Sequence, residues 1–153
     1  MGSNLVDPDA APPLHPTDPR GVAAVAGGGF LGTIARYGVD QGWTARPHHF
    51  PLATFAINVS GSLVLAMLLV IILERPRVPR YLRPLLGTGV LGGWTTMSTF
   101  AVDTSTLGRH GHLVVAACYV AATLAASLLA AAIGARVALR WAYRPRTSPR
   151  GPG

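Results

Sequence analysis

The chain has 153 residues, room for one domain; half of them are hydrophobic, only 12% are charged, and the mean hydropathy is +0.38. That is a membrane composition. All thirteen basic residues are Arg, placed at the ends of apolar segments and in the tail, so the net charge of +7 reads as membrane-flanking charge and not as a nucleic-acid surface. Cys118 stands alone in an apolar segment, which excludes a disulfide framework and a thiolate metal site.

Residues 1–19 are rich in Pro and Asp and lack an apolar core, so they read as a disordered leader and not a cleavable signal peptide. A transmembrane domain is expected over 20–142, with spans near 21–42, 51–73, 82–104 and 113–138, followed by a disordered Arg/Pro tail at 143–153. The first span carries Gly28 and Gly32 on one helix face, where another helix can approach closely. Arg36 either reaches toward the headgroups or lines a water-filled vestibule that attracts anions. His48 and His49 in the following loop are adjacent, a poor arrangement for chelation.

The second span is uncharged, and its anomaly is Asn58, with Thr54 one turn before it and Ser60 and Ser62 after it. A buried amide must find a partner, either another helix or a pore. Arg75, Arg77, Arg80 and Arg83 crowd the next loop. The third span is the least ordinary. Gly89, Gly92 and Gly93 are followed by Thr95, Thr96, Ser98 and Thr99, and Gly weakens a helix by about 1 kcal/mol while hydroxyls compete for backbone hydrogen bonds. Such a segment persists at bilayer depth when it is buried in protein or lines a wet path. The Gly89-xxx-Gly93 spacing also suits close packing. In the fourth span Tyr119, Thr123 and Ser127 lie four apart and share one broad face.

No catalytic set emerges, so the chain does not read as an enzyme. The intramembrane polar groups are neutral hydroxyls and one amide, which can donate hydrogen bonds to a small anion; rings of Asp or Glu, which favour cations, are missing. Phe100 can add the positive edge of its ring.

Three stretches carry a family resemblance: Gly27-Gly-Gly-Phe-Leu-Gly-Thr-Ile-Ala-Arg36-Tyr37, Thr54-Phe-Ala-Ile-Asn58-Val-Ser-Gly61-Ser62 and Gly92-Gly-Trp-Thr-Thr-Met-Ser-Thr-Phe100. Taken in order they resemble the first three span signatures of the CrcB/Fluc fluoride channels, over about residues 21–138. The resemblance implies an all-α membrane protein with four transmembrane helices, the third broken at its centre, assembled as an antiparallel dimer around a structural Na⁺. It implies that the carbonyls of Gly92 and Thr95 hold that Na⁺, that Asn58 donates to fluoride, and that Ser98, Thr99, Phe100, Tyr119, Thr123 and Ser127 line the path. Arg36 matches the vestibule arginine. Met97 departs from the pattern, standing where the family has the first of two pore phenylalanines; its thioether is polarisable but has no ring edge.

The implied role is passive export of cytoplasmic fluoride, which limits its toxicity, from the plasma membrane of a bacterium. Two other readings are a small multidrug exporter, which needs an embedded carboxylate, and a non-conducting partner subunit. With four spans, and with Arg36 left out as intramembrane, ten arginines fall on the side of both termini and two, Arg46 and Arg109, on the other. Positive charge stays inside, so both termini are expected in the cytoplasm. That imbalance favours pairing with a related subunit of opposite orientation over a dual-topology homodimer.

Overall fold

The computed structural model describes residues 18–43, 49–74 and 78–143. The leader up to residue 17, Arg46 and His48, Arg75 and Arg77, and the tail from residue 144 lie outside the described residues, as do the expectations made for them. Among the described residues all regular structure is helical. Three helices are long and apolar enough to cross a membrane: α1 (Pro19–Gly42), α2 (Leu52–Leu73) and α5 (Leu113–Ala142), with mean hydropathies of 1.2, 2.5 and 2.2 over their most apolar windows.

Between α2 and α5 the chain is wound differently. A π-helical segment, Pro84–Leu91, leads into a single α-turn, α3 (Gly92–Trp94). Thr95 (ψ 153°) and Thr96 (φ −143°, ψ 119°) are then extended, and helix resumes in α4 (Met97–Arg109). Local chemistry explains each boundary. Asp18 caps α1 by accepting from the Arg20 N–H at 3.1 Å, with Pro19 at the first helical position, where a missing N–H costs nothing. Thr96 caps α4 in the same way, its Oγ1 accepting from the Thr99 N–H at 3.1 Å. Gly111 ends α4 with φ 81°; its N–H reaches the Gly108 carbonyl and that of His112 the Leu107 carbonyl, the paired bonds of a glycine-terminated helix.

Two helix pairs build the body. In the first, α2 runs along α5 at close range, since a Cβ added at Gly134 would meet the Leu63 carbonyl oxygen. In the second, α1 runs along the π-helical segment and α3, backbone against backbone. A Cβ on Gly28 would meet the Leu85 carbonyl, and one on Gly32 the Val90 carbonyl; reciprocally, Gly89 and Gly93 face the backbone of Gly28 and Gly29. The two Gly-xxx-Gly stripes therefore interlock with each other, the close approach that such stripes permit. A small aromatic core closes one end: Leu107, Ala116 and Tyr119, with Phe50, Phe55 and Phe100 packed around them. Phe30, Leu31, Leu113, Val114 and Leu128 are exposed, as lipid-facing residues are.

The opposite end is tied by polar contacts. Asp18 Oδ2 accepts from the Tyr81 hydroxyl at 3.2 Å and lies 3.9 Å from Arg80 Nη2. Arg83 Nη2 donates to the Ile72 carbonyl at 3.3 Å. Glu74, just past α2, accepts from the phenol of Tyr143, just past α5, and that bond with the carboxylate's charge raises the phenol above its ordinary pKa. The start of α1, the end of α2, the start of the π-helical segment and the end of α5 are thus gathered at one end, with Arg20, Arg80, Arg83 and Arg140.

Candidate functional site

The break at Thr95–Thr96 organises the polar interior, and α2 braces it. Asn58 pairs with both backbone groups of Thr96: its Nδ2 donates to the Thr96 carbonyl at 3.0 Å and its Oδ1 accepts the Thr96 N–H at 2.9 Å. One turn earlier on α2, Thr54 Oγ1 donates to Asp103 Oδ2 of α4 at 2.8 Å. Just beyond Asn58, the Ser60 hydroxyl accepts from Trp94 Nε1 at 3.1 Å, and Gly61 leaves room for the Thr95 methyl. Both backbone groups of Thr96, which would be costly if left unpaired in an apolar medium, are thus satisfied by one side chain of the neighbouring helix.

Two backbone donors are redirected. In a continuous α-helix the Thr96 N–H would bond the Gly92 carbonyl and the Thr99 N–H the Thr95 carbonyl. Here the first goes to Asn58 Oδ1 and the second to Thr96 Oγ1. The carbonyls of Gly92 and Thr95 therefore lose the donors that a continuous helix would supply, and Gly92 is exposed. Two such oxygens are the hard donors a Na⁺ takes, so the residues present fit that ion.

A groove of about 320 Å³ opens beside the break. Asn58 and Ser62 of α2, Thr95 and Thr96 of the break, Met97 and Phe100 of α4, and Thr123 and Ser127 of α5 line it, together with Leu65 and Leu124. The lining mixes one amide and five hydroxyls with Leu65, Met97, Phe100 and Leu124, and holds no ionised side chain. Thr123 is 5% exposed, and its Oγ1 has no hydrogen-bond partner among the described residues. A buried hydroxyl without a partner costs about 1–3 kcal/mol, which marks it as a group awaiting one. Met97 lies at the rim with 74% of its surface open.

Of the residues singled out in the sequence, the structure brings Asn58, Ser62, Thr95, Thr96, Met97, Phe100, Thr123 and Ser127 to this groove. The rest lie elsewhere. Ser98 and Thr99 hydrogen-bond the Thr96 hydroxyl, at 3.3 and 2.9 Å. Tyr119 is fully buried in the aromatic core, its ring 5.1 Å from that of Phe100 and 5.2 Å from that of Phe50, its hydroxyl 3.4 Å from Asp103 Oδ2. Arg36 is half-buried on α1 and does not line the groove. Sequence reasoning counted Thr96 among the intramembrane hydroxyls but not as a helix cap, although a hydroxyl three residues before Thr99 is a helix-start signal. It also passed over Asp103, the carboxylate bound by Thr54 and Tyr119.

Together the fold and the groove define a small multi-span helical membrane protein with an open groove lined in part by neutral amide and hydroxyl groups. Residues 23–135 match the family model described as CrcB-like protein, Camphor Resistance (CrcB), and the chain belongs to that family. It is 48% identical over 103 residues to Fluoride-specific ion channel FluC 3 of Streptomyces avermitilis, a match covering 67% of this chain and 50% of that relative. It is 39% identical over 117 residues to Fluoride-specific ion channel FluC 2 of Nocardia farcinica, covering 76% of this chain and 81% of the relative. Fluoride-specific ion channel FluC 1 of Streptomyces coelicolor is 44% identical over 102 residues, 67% of this chain and 66% of its own. The chain thus spans from half to four fifths of the length of these curated relatives.

Proposed function

We propose that the protein is a fluoride channel that lets the ion leave the cytoplasm passively. The observation that carries this reading is the groove at the helix break: an amide and hydroxyls stand in its lining, no side chain there is ionised, and the Thr123 hydroxyl is buried without a partner among the described residues. Hydrogen-bond donors along a path replace the water of a small anion, and a lining without ionised side chains does not trap it by ion pairing. The names of the relatives point to the same ion.

In this reading the π-helical segment, α3 and α4 together form one broken span between α2 and α5, and two subunits pair in opposite orientations. The Gly92 and Thr95 carbonyls, freed of their helical donors, would hold a structural Na⁺ that supplies fixed positive charge and ties the break. Arg36 lies toward a vestibule. The ends gathered around Asp18, Glu74 and Tyr143 face the cytoplasm because they carry the arginine excess. Asp103 does not support a proton-coupled drug pump: such a carboxylate must face the transport path, and Asp103 is instead held by two hydroxyls away from the groove lining. The test is fluoride efflux from proteoliposomes holding the purified protein, with chloride and a cationic drug as controls. Fluoride-selective efflux supports the channel; proton-coupled drug movement, or no flux from any pairing of subunits, overturns it.

A further inference from the structure

We propose that Asn58 is a positioning residue for the cation site: by capturing the Thr96 N–H, its amide keeps the Gly92 carbonyl free. This deepens the channel reading and rests on the Na⁺ site it includes. A side chain that only donated to a passing anion would have no need to hold a backbone. Asn58 holds both polar groups of Thr96, at 2.9 and 3.0 Å, in the geometry of a backbone pair. The oxygen engages the one N–H whose helical target is Gly92. The nitrogen holds the Thr96 carbonyl and, with two hydrogens, retains one donor for the groove that it lines. A single amide therefore touches both the path and the break, and occupancy of one bears on the other through one rigid planar group. Thr96 completes the device on its other side, its hydroxyl taking the Thr99 N–H and so freeing the Thr95 carbonyl.

The experiment uses the full chain in lipid nanodiscs with threonine labelled at the carbonyl carbon and the amide nitrogen. Thr95–Thr96 is the only Thr–Thr pair in the sequence, so one carbonyl-to-amide NMR cross-peak reports the Thr95 carbonyl and the Thr96 N–H together. In the wild type the peak should shift on adding Na⁺ but not choline, and its amide should exchange slowly. Asn58→Leu removes both bonds; the peak should move, its amide should exchange roughly tenfold faster or more, and the Na⁺ response should vanish. Asn58→Asp keeps an acceptor for the Thr96 N–H, so slow exchange should survive there, which also covers the case in which the leucine variant does not fold. An Asn58→Leu peak with unchanged exchange and Na⁺ response overturns the inference, as does Asn58→Asp exchanging fast. Fluoride efflux is measured separately in proteoliposomes, with the wild-type chain alone and paired with a related subunit of opposite charge bias. If it is absent from both while the cross-peak behaves as described, the channel reading fails and the positioning role stands.

Discussion

At the scale of single residues, Thr123 and Phe100 give the sharpest tests. Thr123→Val keeps the shape of the side chain and deletes a buried hydroxyl that has no partner. Thermal stability should therefore hold or rise, since about 1–3 kcal/mol of desolvation cost is relieved, while fluoride efflux falls. A drop in both, read by unfolding in detergent and by efflux, would mean that the hydroxyl is structural. Phe100→Ile removes a ring that both lines the groove and packs 5.1 Å from Tyr119. Efflux should be abolished in assembled protein, and Asn58→Asp, which puts a negative charge in an anion path, should abolish it too. Unchanged flux in both variants would take these residues out of the path. The sequence made most of this wall legible, because polar side chains in apolar segments stand out. Tyr119 stands off the groove for a geometrical reason. Each step of four residues turns about 40° around a helix, so Tyr119 is rotated about 80° from Ser127 and meets the aromatic core. The part of Thr96 was hidden because the choice of hydrogen-bond partner depends on Asn58, 38 residues away, and that of Asp103 because its partner Thr54 is 49 residues away.

At the scale of elements, the three long apolar helices could be read directly, since hydropathy over a bilayer's length is a property of sequence alone. The Gly stripes could be read as packing surfaces, but not that they pack on one another, which is a tertiary fact. Their interlock predicts a contrast within one helix. A methyl at Gly32 meets the Val90 carbonyl and the Trp94 amide nitrogen, whereas a methyl at Gly27 meets nothing within 4 Å. Gly32→Ala should destabilise by about 1–3 kcal/mol through overpacking. Gly27→Ala should be neutral, or stabilising by up to about 1 kcal/mol through helix propensity. Thermal unfolding in one detergent ranks the pair; equal effects would mean that the two stripes are not in contact. The π-helical winding of Pro84–Leu91 had no counterpart in the sequence reading. Alternative helical windings differ in hydrogen-bond register and not in composition, and this one occurs where backbone lies on backbone.

At the scale of the whole molecule, the prediction concerns orientation and partner. Arg20, Arg80, Arg83, Arg136 and Arg140 belong to the helices and connections that meet at the end held by Asp18, Glu74 and Tyr143, and Arg109 lies at the other. A chain so unbalanced should insert one way. Expressed alone with reporters on each terminus, it should give signal from the cytoplasmic face only, and fluoride efflux should require a related subunit of opposite charge bias. Equal signal from both faces, with conduction by this chain alone, would establish a dual-topology homodimer instead.

The interlock of α1 with the π-helical segment also bears on how such a chain can change over generations. At most core contacts a larger residue on one side can be answered by a smaller one on the other, so sequences drift in matched pairs. Here Gly28 and Gly32 press on the carbonyls of Leu85 and Val90, and no substitution makes a carbonyl smaller. A mutation at either glycine has no single-step answer at the residue it strikes. In a saturation library these positions should tolerate nothing and should gain no tolerance from second-site changes across the interface, while the exposed Gly27 and Gly38 on the same helix should accept nearly anything apolar.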